Sequence, residues 1–166
     1  YLVFLTADHG GAEVPGYVRQ NHIDCGLIDL SAYQKAAEKV LASRFNPDPE
    51  TKFILDIKNF QVYFDYKVVT KYKTTVEELT KIITPELMKF PEIRDVFPVT
   101  GLENGTNSND PLRKRMFFGY NKKRGGDAWI VFNPGWVHHD NKGTSHGAPY
   151  EYDNHVPLIF YGMNVN

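Results

Sequence analysis

The sequence predicts an α/β fold, with helices flanking a sheet and a β-hairpin appended to it. Three observations predict this class. Residues 1–6 form a nearly continuous apolar run, apolar side chains recur at helical spacing from Tyr33 to Phe45, and apolar and polar residues alternate through 53–64. No internal repeat, low-complexity stretch or linker divides the chain, so residues 1–166 are expected to belong to one domain.

The first half of the chain contains two strand signals and one helix signal. The run at 1–6 ends in a polar loop with a glycine pair, which predicts a buried strand of a parallel sheet. A capping box beginning at Ser31 predicts a helix to about Phe45, where Asn46-Pro47 stops it. The alternation at 53–64 predicts the hairpin, with its turn at Lys58-Asn59.

The second half contains further helix starts and three strand candidates. A second capping box begins at Thr75, and Thr84-Pro85 predicts that a short helix restarts there and runs to about Phe90. Asp110-Pro111 predicts another helix start. The remaining apolar runs predict strands at 96–99, 128–132 and 156–161.

Composition excludes some classes of partner. The formal net charge is −1, so no overall field favours nucleic acid or an acidic membrane surface. The apolar runs are far shorter than the about 20 residues that span a bilayer, so no membrane span is expected. The single cysteine, Cys25, cannot form an internal disulfide, and we expect it to be a small buried side chain.

Two segments contain metal-ligand side chains next to a strand. Asp8 and His9 directly follow the first strand, where open α/β sheets place their ligands, and zinc accepts both carboxylate oxygen and imidazole nitrogen. His146 lies in a glycine-flanked loop before the last strand. On local chemistry alone, the alternatives are a loop aspartate that caps a backbone amide and a hydrogen-bonded surface histidine.

Taken together, these segments resemble the alkaline phosphatase superfamily. The matching residues are Thr-Ala-Asp-His-Gly at 6–10, the strand region 124–135, and Gly-Thr-Ser-His-Gly-Ala-Pro-Tyr-Glu-Tyr-Asp-Asn-His-Val-Pro-Leu-Ile-Phe-Tyr-Gly at 143–162. The bacterial phosphate-irrepressible alkaline phosphatases, which are similar to the nucleotide pyrophosphatase/phosphodiesterase branch, look closest. The resemblance runs from end to end, although 48–109 contributes little specificity.

The resemblance implies a two-zinc phosphatase site that acts on phosphate esters. Asp8 and His9 would ligate the zinc that holds the oxygen of the nucleophile, and His146 would ligate the second zinc. His155, within the same motif, is expected to support the site rather than to bind a metal. Relatives are exported, so the resemblance also implies a periplasmic or secreted location.

The sequence also departs from the family pattern. The family's Thr or Ser nucleophile and its Asp-x-x-x-His pair belong upstream of Asp8, where this chain has only seven residues. The chain is therefore expected to be a carboxy-terminal portion whose partner is the missing amino-terminal part. A catalytic zinc needs about three protein ligands, so partial or no zinc occupancy and no turnover are expected for this portion alone.

Three alternatives stay open at this stage. A phosphodiesterase or nucleotide pyrophosphatase uses the same scaffold, because the groups that select the ester lie in the missing part. A non-catalytic binding domain could keep the fold and some of the motif residues. A self-contained one-zinc hydrolase would require His138 or His139 to converge with Asp8, His9 or His146.

Overall fold

The computed structural model describes residues 1–102, 109–138 and 143–162. The strands are β1 (Leu2–Thr6), β2 (Gly26–Leu27), β3 (Ile54–Lys58), β4 (Gln61–Phe64), β5 (Ile93–Pro98), β6 (Ala128–Phe132), β7 (Trp136–Val137) and β8 (Leu158–Gly162). The helices are α1 (Pro15–Gln20), α2 (Leu30–Phe45), α3 (Tyr66–Lys71), α4 (Val76–Leu87), α5 (Pro111–Gly119) and α6 (Glu151–Asn154), and a 3-10 turn covers Val99–Leu102. Within these ranges no helix combines the length and apolarity needed to cross a bilayer.

A four-stranded antiparallel sheet with the order β3-β4-β6-β5 carries the core. Helices α2 and α4 pack against each other, with α2 on β3 and α4 on β5. The side chains between them are fully buried, and each contributes roughly 1.5–3 kcal/mol relative to exposure. They include Leu41, Phe53, Ile54, Val62, Leu79, Ile83, Leu87 and Ala128.

The other face of the same sheet is covered by α5. Met116 of α5 packs with Phe97 and Val131 in a second apolar cluster, while Ile130 belongs to the main core. Strand β6 is therefore apolar on both faces, as its unbroken sequence Ala-Trp-Ile-Val-Phe predicts. This packing also fixes the position of Arg115, the neighbour of Met116.

The predicted hairpin exists, but two of its details differ from expectation. Lys58 pairs with Gln61, so the turn residues are Asn59 and Phe60, one position later than predicted, and both have positive φ (50° and 62°). The hairpin is also not an appendage, because its strands are half of the central sheet. The apolar side of the hairpin packs against α2. The alternation of apolar and polar residues through 53–64 does not reveal this tertiary contact.

Helix starts follow the expected chemistry with two corrections. Thr75 caps α4 by accepting from the Glu78 amide at 3.1 Å, and Asp110 caps α5, as predicted. Helix α2 begins earlier than expected, because the Asp29 carboxylate accepts from the Ala32 amide and takes the capping role expected of Ser31. Helix α4 runs through Pro85 without restarting.

The expectation of a buried, parallel first strand is wrong. Strand β1 pairs antiparallel with β8, from Leu2 opposite Gly162 to Thr6 opposite Leu158, and the two strands form a sheet of their own. We call this pair the terminal ribbon. Its apolar side chains are between 50% and 79% exposed, so none of the described residues covers either face. The exposed residues are Leu2, Val3, Phe4, Leu5, Leu158, Ile159, Phe160 and Tyr161.

Candidate functional site

The two metal-ligand segments lie against each other at the end of the terminal ribbon. The amide of Gly10 donates to the carbonyl of Asp153 at 2.8 Å, and the amide of Gly11 donates to the carbonyl of Tyr152 at 2.9 Å. The amide of Ala12 donates to the carbonyl of Ser145 at 3.0 Å. These bonds join the loop after β1 to the segment before β8, and an open cavity of about 280 Å³ forms between them.

Three of the predicted site residues line this cavity. Asp8, His9 and His146 all contribute to its wall, so the structure brings together the residues that the two motifs predict. The wall also includes Arg115 from α5 and Asp153 from α6. His155 follows α6 on the exposed surface and is not part of this wall, so its supporting role stays a prediction.

Gly10 is required for the two loops to approach so closely. A Cβ built on Gly10 would lie 1.9 Å from the carbonyl oxygen of Tyr152, far inside van der Waals contact. The atom in the way belongs to backbone and cannot swing aside. The glycine after His9 is therefore explained by backbone packing rather than by a ligand.

The side chains of Asp8 and His9 place a ring nitrogen and a carboxylate oxygen close together. Nδ1 of His9 lies 2.6 Å from the carbonyl oxygen of Gly10, and when Nδ1 donates there the lone pair of Nε2 is left for another partner. That Nε2 lies 3.7 Å from Oδ2 of Asp8. Two ligand atoms about 2.1 Å from one tetrahedral ion are separated by about 3.4 Å, so this spacing is close to that of a shared ion.

His146 stacks on His9. The two ring centroids are 3.6 Å apart and the ring planes differ by 15°. The loop that carries His146 is anchored on both sides: Asp153 Oδ2 accepts from the Ala148 amide at 2.6 Å, and the Thr144 hydroxyl donates to the Ala12 carbonyl. Gly147 adopts φ of 101°, which lets the chain turn sharply just after His146.

Two side chains near the cavity were not singled out by the sequence. Arg115 donates to the carbonyl of Pro149 at 3.3 Å and to Glu151 at 2.9 Å, so its guanidinium ties α5 to the loop. Asp153 is only 5% exposed, and its Oδ1 has no hydrogen-bond partner among the described residues. The Tyr-Asp pair of the second motif was the signal for Asp153, but only the fold shows that the carboxylate is buried.

Two tyrosines, Tyr150 and Tyr152, hold the 143–162 segment against the rest of the fold. The Tyr150 hydroxyl donates to the carbonyl of Phe132 at 2.6 Å, which attaches the loop to β6. The ring of Tyr152 stacks on that of Tyr150, with centroids 5.6 Å apart. Burial raises the pKa of Tyr152 to about 12, so this hydroxyl stays protonated at neutral pH.

The candidate ligand side chains in the described part of the chain do not form a complete metal site. Among residues 1–102, 109–138 and 143–162, no group of three His, Cys, Asp or Glu side chains is placed to hold one ion. His138 lines a separate cavity beside Asp29 and does not reach the wall formed by His9 and His146. His139 and Asp140 lie outside the described residues.

Comparison with known proteins relates the chain to phosphatases. No protein-family model matches. Alkaline phosphatase PafA of Elizabethkingia meningoseptica is 32% identical over 166 residues, which are 99% of this chain and 30% of that protein. A protein of Myroides odoratus named calcium-transporting ATPase is also 32% identical, over 169 residues with the same coverage.

The structural comparison gives the same relationship. The crystal structure of wild-type alkaline phosphatase PafA matches 98% of this chain with a TM-score of 0.81 and 33% identity. The chain spans about 30% of the length of the relatives it matches. The predicted α/β class is confirmed by this match, because helices and sheets are combined here as in that phosphatase.

Proposed function

Because the chain is related to the alkaline phosphatase family along nearly its whole length, we propose that it is the carboxy-terminal portion of a zinc-dependent phosphomonoesterase. It supplies Asp8, His9 and His146 to a two-zinc site, and the nucleophile comes from the rest of the polypeptide. The resemblance to exported phosphatases also leads us to propose a periplasmic or secreted location.

The stacking of His9 and His146 carries the proposal of two metals. The lone pairs of an imidazole lie in the plane of its ring, and these two planes are nearly parallel with centroids 3.6 Å apart. An ion in the plane of one ring therefore lies outside the plane of the other, which supports two separate ions rather than one shared ion. Two-metal phosphatases hold their ions about 3.5–4 Å apart, so two neighbouring rings of this kind could each serve one ion.

The donor atoms fit zinc. Imidazole nitrogen and carboxylate oxygen are both zinc ligands, and a His9 ring whose Nδ1 donates to the Gly10 carbonyl offers the lone pair of Nε2 to a metal. Asp8 and Asp153 place two carboxylates on the wall against the single guanidinium of Arg115, so the cavity favours a cation when the histidines are neutral. Two zinc ions, when bound, would supply Lewis acidity at the attacking and leaving oxygens of the phosphoryl group.

In the proposed reaction, the residues of this chain hold the side chains of Asp8, His9 and His146 in fixed positions. His9 and Asp8 are fixed by the bonds of Gly10 and Gly11 to the α6 segment, and His146 by the bonds of Thr144 and Ala148. Such anchoring holds ligand atoms in one geometry and avoids reorganisation during the reaction. The chain contributes only part of each zinc's coordination, so it is not expected to turn over alone.

The terminal ribbon supports the proposal that this chain is completed by another part of the polypeptide. Exposed contiguous apolar surface on this scale is unusual for an independent protein. The rings of Phe4 and Phe160 lie 6.4 Å apart between centroids in a tilted arrangement, and both are still at least half exposed. The remaining 70% or so of a relative's length would cover both faces of the ribbon and bring the nucleophile beside Asp8.

The test is hydrolysis of a chromogenic phosphate monoester and a matching diester by the full-length protein with zinc supplied. We expect the monoester to be preferred, and His146→Asn to lower kcat/KM by more than about 100-fold. His22→Asn is the matched control, because His22 is exposed, lies outside the cavity wall and has a positive φ that asparagine tolerates.

Three outcomes would contradict the proposal in different ways. Preference for the diester would indicate a phosphodiesterase on the same scaffold. Hydrolysis of neither ester would favour a non-catalytic binding domain. Turnover by residues 1–166 alone, lost in His146→Asn, would mean that a nucleophile is present in this chain.

A further inference from the structure

We propose that Asp153 is a positioning residue of this site, which joins the two histidine loops and holds a buried negative charge against the cavity. The inference rests on the proposed metal site and extends it to a residue outside the predicted ligand set. It is carried by two hydrogen bonds of Asp153, to its backbone carbonyl and to its Oδ2, and by the buried Oδ1 that has no partner among the described residues.

The backbone of Asp153 fixes the first loop. Its carbonyl oxygen accepts the amide of Gly10 at 2.8 Å, directly after His9. A displacement of Asp153 would therefore move the residue that holds Nδ1 of His9, since that nitrogen contacts the Gly10 carbonyl at 2.6 Å. Asp153 thus controls the direction in which Nε2 of His9 points.

The carboxylate of Asp153 fixes the second loop. Oδ2 accepts the amide of Ala148 at 2.6 Å, two residues after His146. The next residue, Asn154, donates its side-chain amide to the carbonyl of Ala148 at 3.2 Å, so the same peptide region is held from both sides. The short helix α6 therefore contacts both histidine loops, in addition to the direct bonds of Ala12 with Thr144 and Ser145.

The second carboxylate oxygen of Asp153, Oδ1, is buried without a hydrogen-bond partner among the described residues. Asp153 is 5% exposed and lines the same cavity as Asp8, His9 and His146. A buried carboxylate oxygen without a partner is costly, and proteins rarely retain one without a use. The nearby Arg115 is bonded to the Pro149 carbonyl and to Glu151, and it does not hydrogen-bond to this oxygen.

A cation in the cavity would remove this cost. Carboxylates that do not themselves bind a metal orient the ligands that do and raise the affinity of the site, and their loss lowers metal affinity by about 10–100-fold. Asp153 has this placement: it is bonded to both ligand loops and its charge is shielded from water. The structure therefore assigns it to the site although it is not in the predicted ligand set.

The experiment measures zinc affinity of the full-length protein by chelator competition, with the zinc-free melting temperature recorded in parallel. Asp153→Asn keeps an acceptor for the Ala148 amide and removes the charge. We expect its zinc affinity to fall by about 10–100-fold, while the zinc-free melting temperature does not fall, because the variant removes an unpaired buried charge. Glu151→Gln is the matched control: it removes one charge from the same helix and keeps an acceptor for Arg115, and its side chain is 77% exposed and outside the wall.

A second variant tests the positioning role. Asp153→Ala removes both the acceptor and the charge, so we expect faster amide hydrogen exchange in residues 8–12 and 143–150 than in Asp153→Asn. Equal exchange in the two variants would overturn the positioning role. Wild-type zinc affinity in Asp153→Asn, or an equal loss in Glu151→Gln, would overturn the role of the buried charge. A wild-type protein that binds no zinc would instead overturn the proposed metal function.

Discussion

His9 and His146 stack face to face with ring centroids 3.6 Å apart, although they come from opposite ends of the sequence. The contact depends on the Gly10–Asp153, Gly11–Tyr152 and Ala148–Asp153 hydrogen bonds between the two loops. It explains how two short motifs far apart in sequence can form one site. The arrangement of the rings also bears on whether a bound metal would be one ion shared by both histidines or two ions, which the residue types alone do not indicate.

Zinc stoichiometry tests whether the two rings serve different ions. We expect the full-length protein to hold two zinc ions, and His9→Asn and His146→Asn each to retain about one, because each ring lies in its own plane. Metal analysis after dialysis measures this, with His22→Asn as the control that retains two. Loss of all zinc in either variant would indicate a single ion shared by both rings.

Gly10 and Gly11 form a matched pair for testing the close approach of the loops. In Gly10→Ala the new Cβ would meet the Tyr152 carbonyl at 1.9 Å, whereas in Gly11→Ala the nearest atom is 3.8 Å away. We expect Gly10→Ala to lower the free energy of unfolding by about 1–3 kcal/mol, as overpacking does, and Gly11→Ala to change it little. Denaturant unfolding of the full-length protein measures both, and equal effects would show that the approach is not tight.

The terminal ribbon gives a prediction that differs between the isolated chain and the full-length protein. Phe160 is 50% exposed here, so Phe160→Lys should leave the stability of residues 1–166 nearly unchanged and reduce binding of a hydrophobic dye. In the full-length protein we expect the same change to cost about 3–5 kcal/mol, because the ring would then be buried.

Phe118→Lys on α5 is the control for the ribbon experiment. Phe118 is 69% exposed, and we expect little change in stability in either protein. Thermal or denaturant unfolding with dye fluorescence measures both variants. A Phe160→Lys effect that is equally small in the full-length protein would mean that the ribbon stays uncovered.

Glu38 gives a pH dependence of stability. Burial raises the pKa of this carboxyl above its ordinary value, while its Oε1 accepts the Ile54 amide at 2.6 Å. Because the folded-state pKa is raised, its stabilising contribution is present below pH 4.5 and is lost as pH rises through the folded-state pKa.

Glu38→Gln tests this contribution by removing the charge while keeping an acceptor for the Ile54 amide. We expect the variant to gain stability relative to wild type as pH rises from 4 to 7. Unfolding free energies measured at several pH values check the sign. A constant difference across this range would contradict the assignment.

The sequence predicts the local elements well where the signal is local. Thr75 and Asp110 cap their helices as expected, since a capping side chain needs only amides two or three residues away. Ser31 was expected to cap α2, but Asp29 does so, because the helix begins earlier than the box suggested. Pro85 was expected to restart a helix, yet α4 continues through it while its buried face packs on β5.

Features that depend on tertiary contacts were predicted less well. An apolar run such as 1–6 indicates a strand that packs against other apolar residues, but it does not indicate which segment supplies them. The expected burial of β1 was therefore wrong for this chain. The ligand candidates Asp8, His9 and His146 were found because their motifs are distinctive. Asp153 was missed because an aspartate in a polar loop has no sequence signal for burial.

The register of the terminal ribbon also has a kinetic consequence. Pairing Leu2 with Gly162 closes a loop of about 160 residues, whereas the pairing of β5 with β6 closes a far shorter one. Loop-closure entropy grows with length and must be overcome before distant contacts stabilise the pair, so the ribbon is expected to form after the central sheet. The loops that bear His9 and His146 would then acquire their order last and open first, as a local unit with its own equilibrium.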